Sequence, residues 1–231
     1  MEEQAPYTSS SFADIELANN TEQRCPCVLV LDCSGSMTGR QIDSLNDAVR
    51  RFSDELRADD LAAKRVEIGI VTFGNKVTVA SDFRSAQVFF PDILTAEGGT
   101  PMGEALCEAV RLIEARKKTL NDRGIPYYRP WLVLMTDGEP TDARTKYWQD
   151  AVDLISSGVS SRKFTFFPLV TEDGNKSVVN RLSPETHVRG LNSHKFSEFF
   201  LWLTRSLQSV ARSQPGDKLV LPDPSGWVID V

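Results

Sequence analysis

The alternation of apolar and polar positions divides the chain into strand-like and helix-like segments. Cys27-Val28-Leu29-Val30-Leu31 is an unbroken apolar run, the pattern of a strand covered on both faces. Ile42, Leu45, Val49, Phe52 and Leu56 then recur at steps of three and four, which predicts an amphipathic helix over 40–58. Val66–Phe73 and Val77–Phe83 are β-rich and separated by a turn at Gly74-Asn75, which predicts a hairpin. A long connection over 84–101 ends in Gly98-Gly99-Thr100-Pro101. A helix follows it with Leu106, Ala109, Val110 and Ile113 on one face. Trp131–Met135 reads as a second buried strand. Residues 145–157 read as a helix presenting Tyr147, Ala151, Leu154 and Ile155 inward, and Phe164–Val170 as a strand. A short helix near 175–182, a weak strand at 187–191 and a last helix carrying Phe196, Phe199, Leu203, Leu207 and Val210 complete the pattern.

Strands alternating with helices predict an α/β fold. The expected architecture is Rossmann-like and doubly wound, with a mostly parallel central sheet, one antiparallel edge hairpin and helices on both faces. Residues 1–22 are expected to form an N-terminal arm, 23–212 a single domain, and 213–231 a C-terminal tail. That tail carries Leu219-Val220-Leu221 and Trp227-Val228-Ile229, too apolar for a free linker, so it is expected to pack back on the domain or onto a partner.

Composition changes this picture little. Of 231 residues, 41% are hydrophobic and 25% charged, which is ordinary for a globular chain long enough to bury its own core. The net charge of −6 argues against a nucleic-acid partner. No apolar run approaches the roughly 18 residues of a membrane helix. The opening Met1-Glu2-Glu3-Gln4 lacks the features of a signal peptide. Cys25, Cys27, Cys33 and Cys107 read as reduced thiols, and a cytoplasmic location is expected. His187 and His194 read as surface or capping residues.

The candidate chemistry lies at strand ends. In an open α/β sheet the ligand crevice forms beyond the C-terminal ends of the strands. Asp32-Cys33-Ser34-Gly35-Ser36 follows one buried strand and Thr136-Asp137-Gly138 another, while Gly99-Thr100-Pro101 opens a helix. Asp32, Ser34, Ser36, Thr100 and Asp137 supply two carboxylates and three hydroxyls. These hard oxygen donors suit Mg²⁺, with Mn²⁺ or Ca²⁺ as alternatives, and do not suit zinc. Gly35 is expected to let the backbone turn beneath the ion. Asp142 reads as an exposed loop carboxylate, and Cys33 as a small buried residue.

These residues resemble the metal-ion-dependent adhesion site of the von Willebrand factor A domain family. The flanks Leu31–Met37, Gly98–Leu106 and Met135–Asp142 are most similar to its bacterial TerY-like and YegL-like branch. The resemblance covers about residues 25–212. It implies direct ligation by Ser34 and Ser36. Thr100 would bind directly or through water, and Asp32 and Asp137 would hold metal-bound waters or bind directly. It also implies an open coordination position filled by an Asp or Glu carboxylate of a partner protein. In that branch the partners are kinase-like or phosphatase-like, in stress-response systems of the tellurite-resistance kind. No catalytic activity is implied.

An alternative is a haloacid-dehalogenase-like metal-dependent phosphatase, which also places an aspartate after its first strand; Asp137 and Asp142 would be its later acidic pair. Its general acid would stand two residues after the nucleophile, where this chain has Ser34. A phosphate-binding loop at Gly98–Gly103 is disfavoured because Glu104 replaces the required lysine.

Overall fold

The computed structural model describes residue 17 and residues 20–137, 139–171, 174–183, 186, 188–191, 195–214, 220–226 and 228–229. His187, His194, Gly138 and Trp227 lie outside the described residues, and so do the readings made for the two histidines.

The first strand, β1 (Cys25–Asp32), is buried along its whole length. Its odd and even residues point to opposite faces, as strand geometry requires. Cys25, Cys27, Leu29 and Leu31 enter one core layer and Val28 and Val30 the other. That is why the segment reads as a continuous apolar run rather than an alternating one. Helices α1 (Arg40–Arg57), α2 (Asp60–Arg65) and α6 (Phe196–Arg212) cover the first face. Their apolar stripes, including Leu45, Phe52, Phe199 and Leu203, close that layer. Helices α3 (Met102–Asp122) and α4 (Lys146–Ser160) cover the second with Leu106, Ile113, Trp148 and Ile155.

The remaining strands are β2 (Val66–Phe73), β3 (Val77–Ser85), β4 (Trp131–Thr136), β5 (Thr165–Thr171), β6 (Arg189–Leu191) and β7 (Val228–Ile229), with a short helix α5 (Lys176–Asn180) before β6. Among the described residues they form one sheet in the order β3-β2-β1-β4-β5-β6-β7. β1 pairs in parallel with both β2 and β4, and β4–β5 and β5–β6 are also parallel. β2–β3 is the expected antiparallel hairpin. The protein is therefore the doubly wound α/β fold read from the sequence.

Three details differ from the expectation. The sheet has a second antiparallel edge, because β7 pairs with β6 through Gly190–Ile229 and Leu191–Val228. These residues belong to the segment read as irregular tail. The described part of the tail packs back: Trp202 Nε1 donates to Pro222 O at 2.8 Å, and Leu221 and Val228 lie against the first core layer. Helix α2 was not anticipated; six residues are too few to show a period, and its start is set by the Asp59 carboxylate accepting from Leu61 N and Ala62 N. Helix α4 buries Trp148, Ala151, Ile155 and Gly158, whereas Tyr147 and Leu154 face out, 51% and 39% exposed. The inward face is rotated by about one residue from the one read, because Gly103 of α3 lets Trp148 approach closely. A Cβ on Gly103 would lie 2.8 Å from Trp148 Cα.

Candidate functional site

Neighbouring parallel strands end side by side, and the register decides what meets there. Leu31 pairs with Met135, so Asp32 and Thr136 emerge together at the C-terminal ends of β1 and β4. Thr136 Oγ1 donates to Asp32 Oδ2 at 2.6 Å. The other carboxylate oxygen, Oδ1, accepts from Ser34 N at 2.8 Å. Asp32 is fully buried, so both bonds offset the cost of holding a polar group away from water.

Beyond Asp32 the chain turns. Cys33 N donates to Phe73 O at 2.7 Å, which ties the turn to the end of β2, and Gly35–Met37 form a single 3-10 turn. Ser34 Oγ and Ser36 Oγ lie 3.0 Å apart, and Ser36 Oγ donates to Asp137 Oδ1 at 2.8 Å. The hydrogen-bonding pattern of Gln41 places its amide nitrogen 3.2 Å from both Ser36 O and Asp137 Oδ2. Both Asp137 oxygens therefore have donors, one from each side. Sequence reasoning missed Gln41, since a lone glutamine in the first turn of a helix carries no motif.

Thr100 reaches the same place along the connection after β3. Glu97 N donates to Cys33 O at 2.8 Å and Gly35 N to Gly98 O at 2.9 Å, so this connection lies against the Ser34–Ser36 turn. Gly98 has a φ of 77°, and a Cβ there would fall 2.4 Å from Asn75 Cα. The left-handed glycine this site needs is thus Gly98 and not Gly35, where a Cβ would make an ordinary 3.4 Å contact with Gly98 O. Thr100 itself is buried. Asp142 corrects the sequence reading in another way. It is 8% exposed, and its carboxylate accepts from Gly103 N at 3.2 Å and Glu104 N at 2.9 Å. It caps α3, where a negative charge also meets the positive end of the helix dipole.

The five residues singled out in the sequence thus converge on one end of the sheet. Asp32 and Ser34 are buried, Asp137 is half-buried, and Ser36 is exposed, so the cluster opens outward. The donor set fits a hard divalent cation. Oxygens on adjacent corners of an octahedral Mg²⁺, each about 2.0–2.1 Å from the ion, lie roughly 2.9 Å from one another. The two serine hydroxyls, 3.0 Å apart, match that spacing. Among the described residues no three His, Cys, Asp or Glu side chains converge as a metal cluster. Three of the five donors here are hydroxyls, the usual company of Mg²⁺ rather than zinc. Cys33 adds no reactive thiolate: burial, then the Asp32 charge beside it, pushes its thiol up to about 12.

The phosphatase alternative is not favoured. A nucleophilic aspartate needs an exposed oxygen aimed at substrate, whereas Asp32 is inaccessible and has both oxygens hydrogen-bonded.

Known proteins agree with this geometry at the level of the domain. Inter-alpha-trypsin inhibitor heavy chain H4 of Sus scrofa is 28% identical over 51% of this chain and 13% of its own length. The Homo sapiens H4 chain is 25% identical over 80% of this chain and 20% of its own. The chain thus spans a fifth or less of these curated relatives. Among solved structures, the vWF domain of the type V pili tip protein Mfa5 from Porphyromonas gingivalis superposes with a TM-score of 0.55. It is 13% identical and covers 86% of this chain and 99% of its own. The family model for the von Willebrand factor type A domain matches residues 27–200, three quarters of the sequence, and the chain belongs to that family.

Proposed function

We propose that this protein is a metal-dependent protein-interaction module. One divalent cation, Mg²⁺ in the first place with Mn²⁺ or Ca²⁺ as substitutes, would be held by Asp32, Ser34, Ser36, Thr100 and Asp137. The observation that carries the reading is the chain of oxygens from Ser34 through Ser36 to Asp137, at 3.0 and 2.8 Å, on a fully buried Asp32. A cation bound there would supply an electrostatic anchor, on the side where Ser36 is exposed, for an Asp or Glu carboxylate of a partner protein.

The local charge makes such binding depend on the ion. Glu97 and Glu139 stand exposed on the connections that bear Thr100 and Asp137, beside two ligand carboxylates. Without a cation this rim repels an acidic partner; a bound divalent cation would offset two of these four negative charges and offer the incoming carboxylate a direct positive contact. Among the described residues no site hydroxyl is hydrogen-bonded to a histidine or lysine base, so the reading assigns no catalytic activity. The flanks of the motif resemble those of the TerY-like branch, and on that resemblance the proposed setting is a bacterial stress response, in the cytoplasm, with a kinase-like or phosphatase-like partner.

Calorimetric titration with Mg²⁺ and Mn²⁺ tests the proposal. Wild-type protein is expected to bind one ion, and Asp32→Ala/Ser34→Ala none. Wild-type protein that takes up neither ion overturns it, as does a phosphatase activity of the pure protein that Asp32→Ala abolishes.

A further inference from the structure

Thr100 arrives at the site on a connection with no strand or helix of its own from residue 86 to 101. Its position must come from side contacts, which are shared between the Ser34–Ser36 turn and the loop after β4. Thr141 N donates to Thr100 O at 2.9 Å, and Thr100 N donates back to Thr141 Oγ1 at 3.1 Å. The two threonines therefore form a closed two-bond clasp. Thr141 also abuts Gly99, where a Cβ would lie 3.2 Å from Thr141 Cγ2. The next residue, Asp142, holds the two amides that follow on the far side of Pro101, those of Gly103 and Glu104. Amides on both sides of the Thr100–Pro101 corner are gripped by two consecutive residues, four and five positions after Asp137.

We infer that Thr141 and Asp142 are positioning residues of the cation site, which hold the Thr100 hydroxyl at a fixed offset from Asp137. The inference rests on the metal reading proposed above. Its physical content is that the loop after β4 carries one ligand and also sets another that lies about forty residues earlier in the chain. Neither residue touches the ion. Outer partners of this kind typically tune metal affinity by about 10–100-fold.

Thr141 is exposed, so its replacement spares the core. Thr141→Val keeps the shape and deletes the acceptor, leaving the amide of buried Thr100 without its partner. Thr141→Ser restores the acceptor. Mn²⁺ titration of the three proteins, with amide exchange over residues 98–104 and unfolding midpoints measured in EDTA, tests the inference. Thr141→Val is expected to bind about tenfold more weakly, to exchange faster at Thr100 and to unfold a few degrees lower in one cooperative transition, and Thr141→Ser to recover all three properties. Asp142→Asn, which keeps one acceptor oxygen and loses the charge, is expected to weaken binding in the same direction. Wild-type affinity in Thr141→Val overturns the inference and leaves the metal reading intact. Weakened binding that Thr141→Ser fails to restore also overturns it. Wild-type protein that binds no ion overturns the metal reading and this inference together.

Discussion

Glu67 shows how far a single side chain can be committed. It is fully buried in β2, and its carboxylate accepts from Arg24 Nε at 2.9 Å and from Arg116 Nε at 2.8 Å, with a further bond to Arg116 Nη2. Arg24 is also fully buried and spends its remaining donors on backbone carbonyls, including Glu22 O at 2.6 Å. One anion thus serves two guanidiniums away from water, and removing it leaves two buried positive charges facing each other. Glu67→Gln is expected to cost about 3–5 kcal/mol, read as a lower urea midpoint at constant slope. An unchanged midpoint would mean that water reaches the pair. Nothing in the sequence marks Glu67, because its partners come from the residue just before β1 and from α3, both more than forty positions away. The candidate site is easier to read for the opposite reason: Asp32, Ser34 and Ser36 sit within five positions, where spacing alone carries the pattern. Asp142 was misread because its burial depends on where the start of α3 lands.

At the scale of elements, local signals succeeded where apolar runs were long and failed where they were short or ambiguous. β1 and β4 declare themselves in sequence, while α2 does not. Asp59 makes that short helix possible and also pairs with Arg212 at the end of α6, joining the two helices. Burial acts to raise the Asp59 carboxyl, but the Ala62 N–H, the Arg212 charge and the Leu61 N–H outweigh it and hold it below the usual carboxylate range. A carboxyl lowered on folding stabilises the protein above its unfolded value, about 3.9, and that contribution disappears as the pH falls through the folded value. Asp59→Ala is therefore expected to cost about 1 kcal/mol at neutral pH, with the gap to wild type narrowing below about pH 4. Thermal melts of both proteins between neutral and acid pH check this. A gap independent of pH would show that Asp59 acts through packing alone. The face of α4 was read in part: Ala151 and Ile155 are inward as expected, but Tyr147 and Leu154 fit the same helical stripe as well as Trp148 does. Only the approach of α3 at Gly103 selects between them.

Over the whole molecule, the sheet was legible except at its last edge. A strand of two residues, Val228–Ile229, gives no periodic signal, and its pairing with β6 joins residues almost forty positions apart. Removing residues 220–231 deletes this strand, the Trp202–Pro222 hydrogen bond and the Leu221 and Val228 contacts. The truncated chain is expected to melt several degrees lower, at about 2–4 °C for each kcal/mol lost in a protein of this size. It is also expected to exchange the β6 amides faster. Calorimetry with hydrogen exchange over 189–191 measures both, and an unaltered midpoint would show that the tail rests on the domain without stabilising it. Through-chain distance also shapes how the site comes into being. Ser36 and Asp137, and likewise Asp32 and Thr136, are separated by about a hundred residues and meet only because β1 and β4 are neighbours in the sheet. Loop closure over such a span is slow to be repaid by contacts. A chain emerging from the ribosome carries Asp32, Ser34, Ser36 and Thr100 long before β4 can dock, so the cluster closes only when the central pairing is complete. On the metal reading proposed above, capture of an ion there would be a late folding event, a stamp set on molecules that have already found their topology.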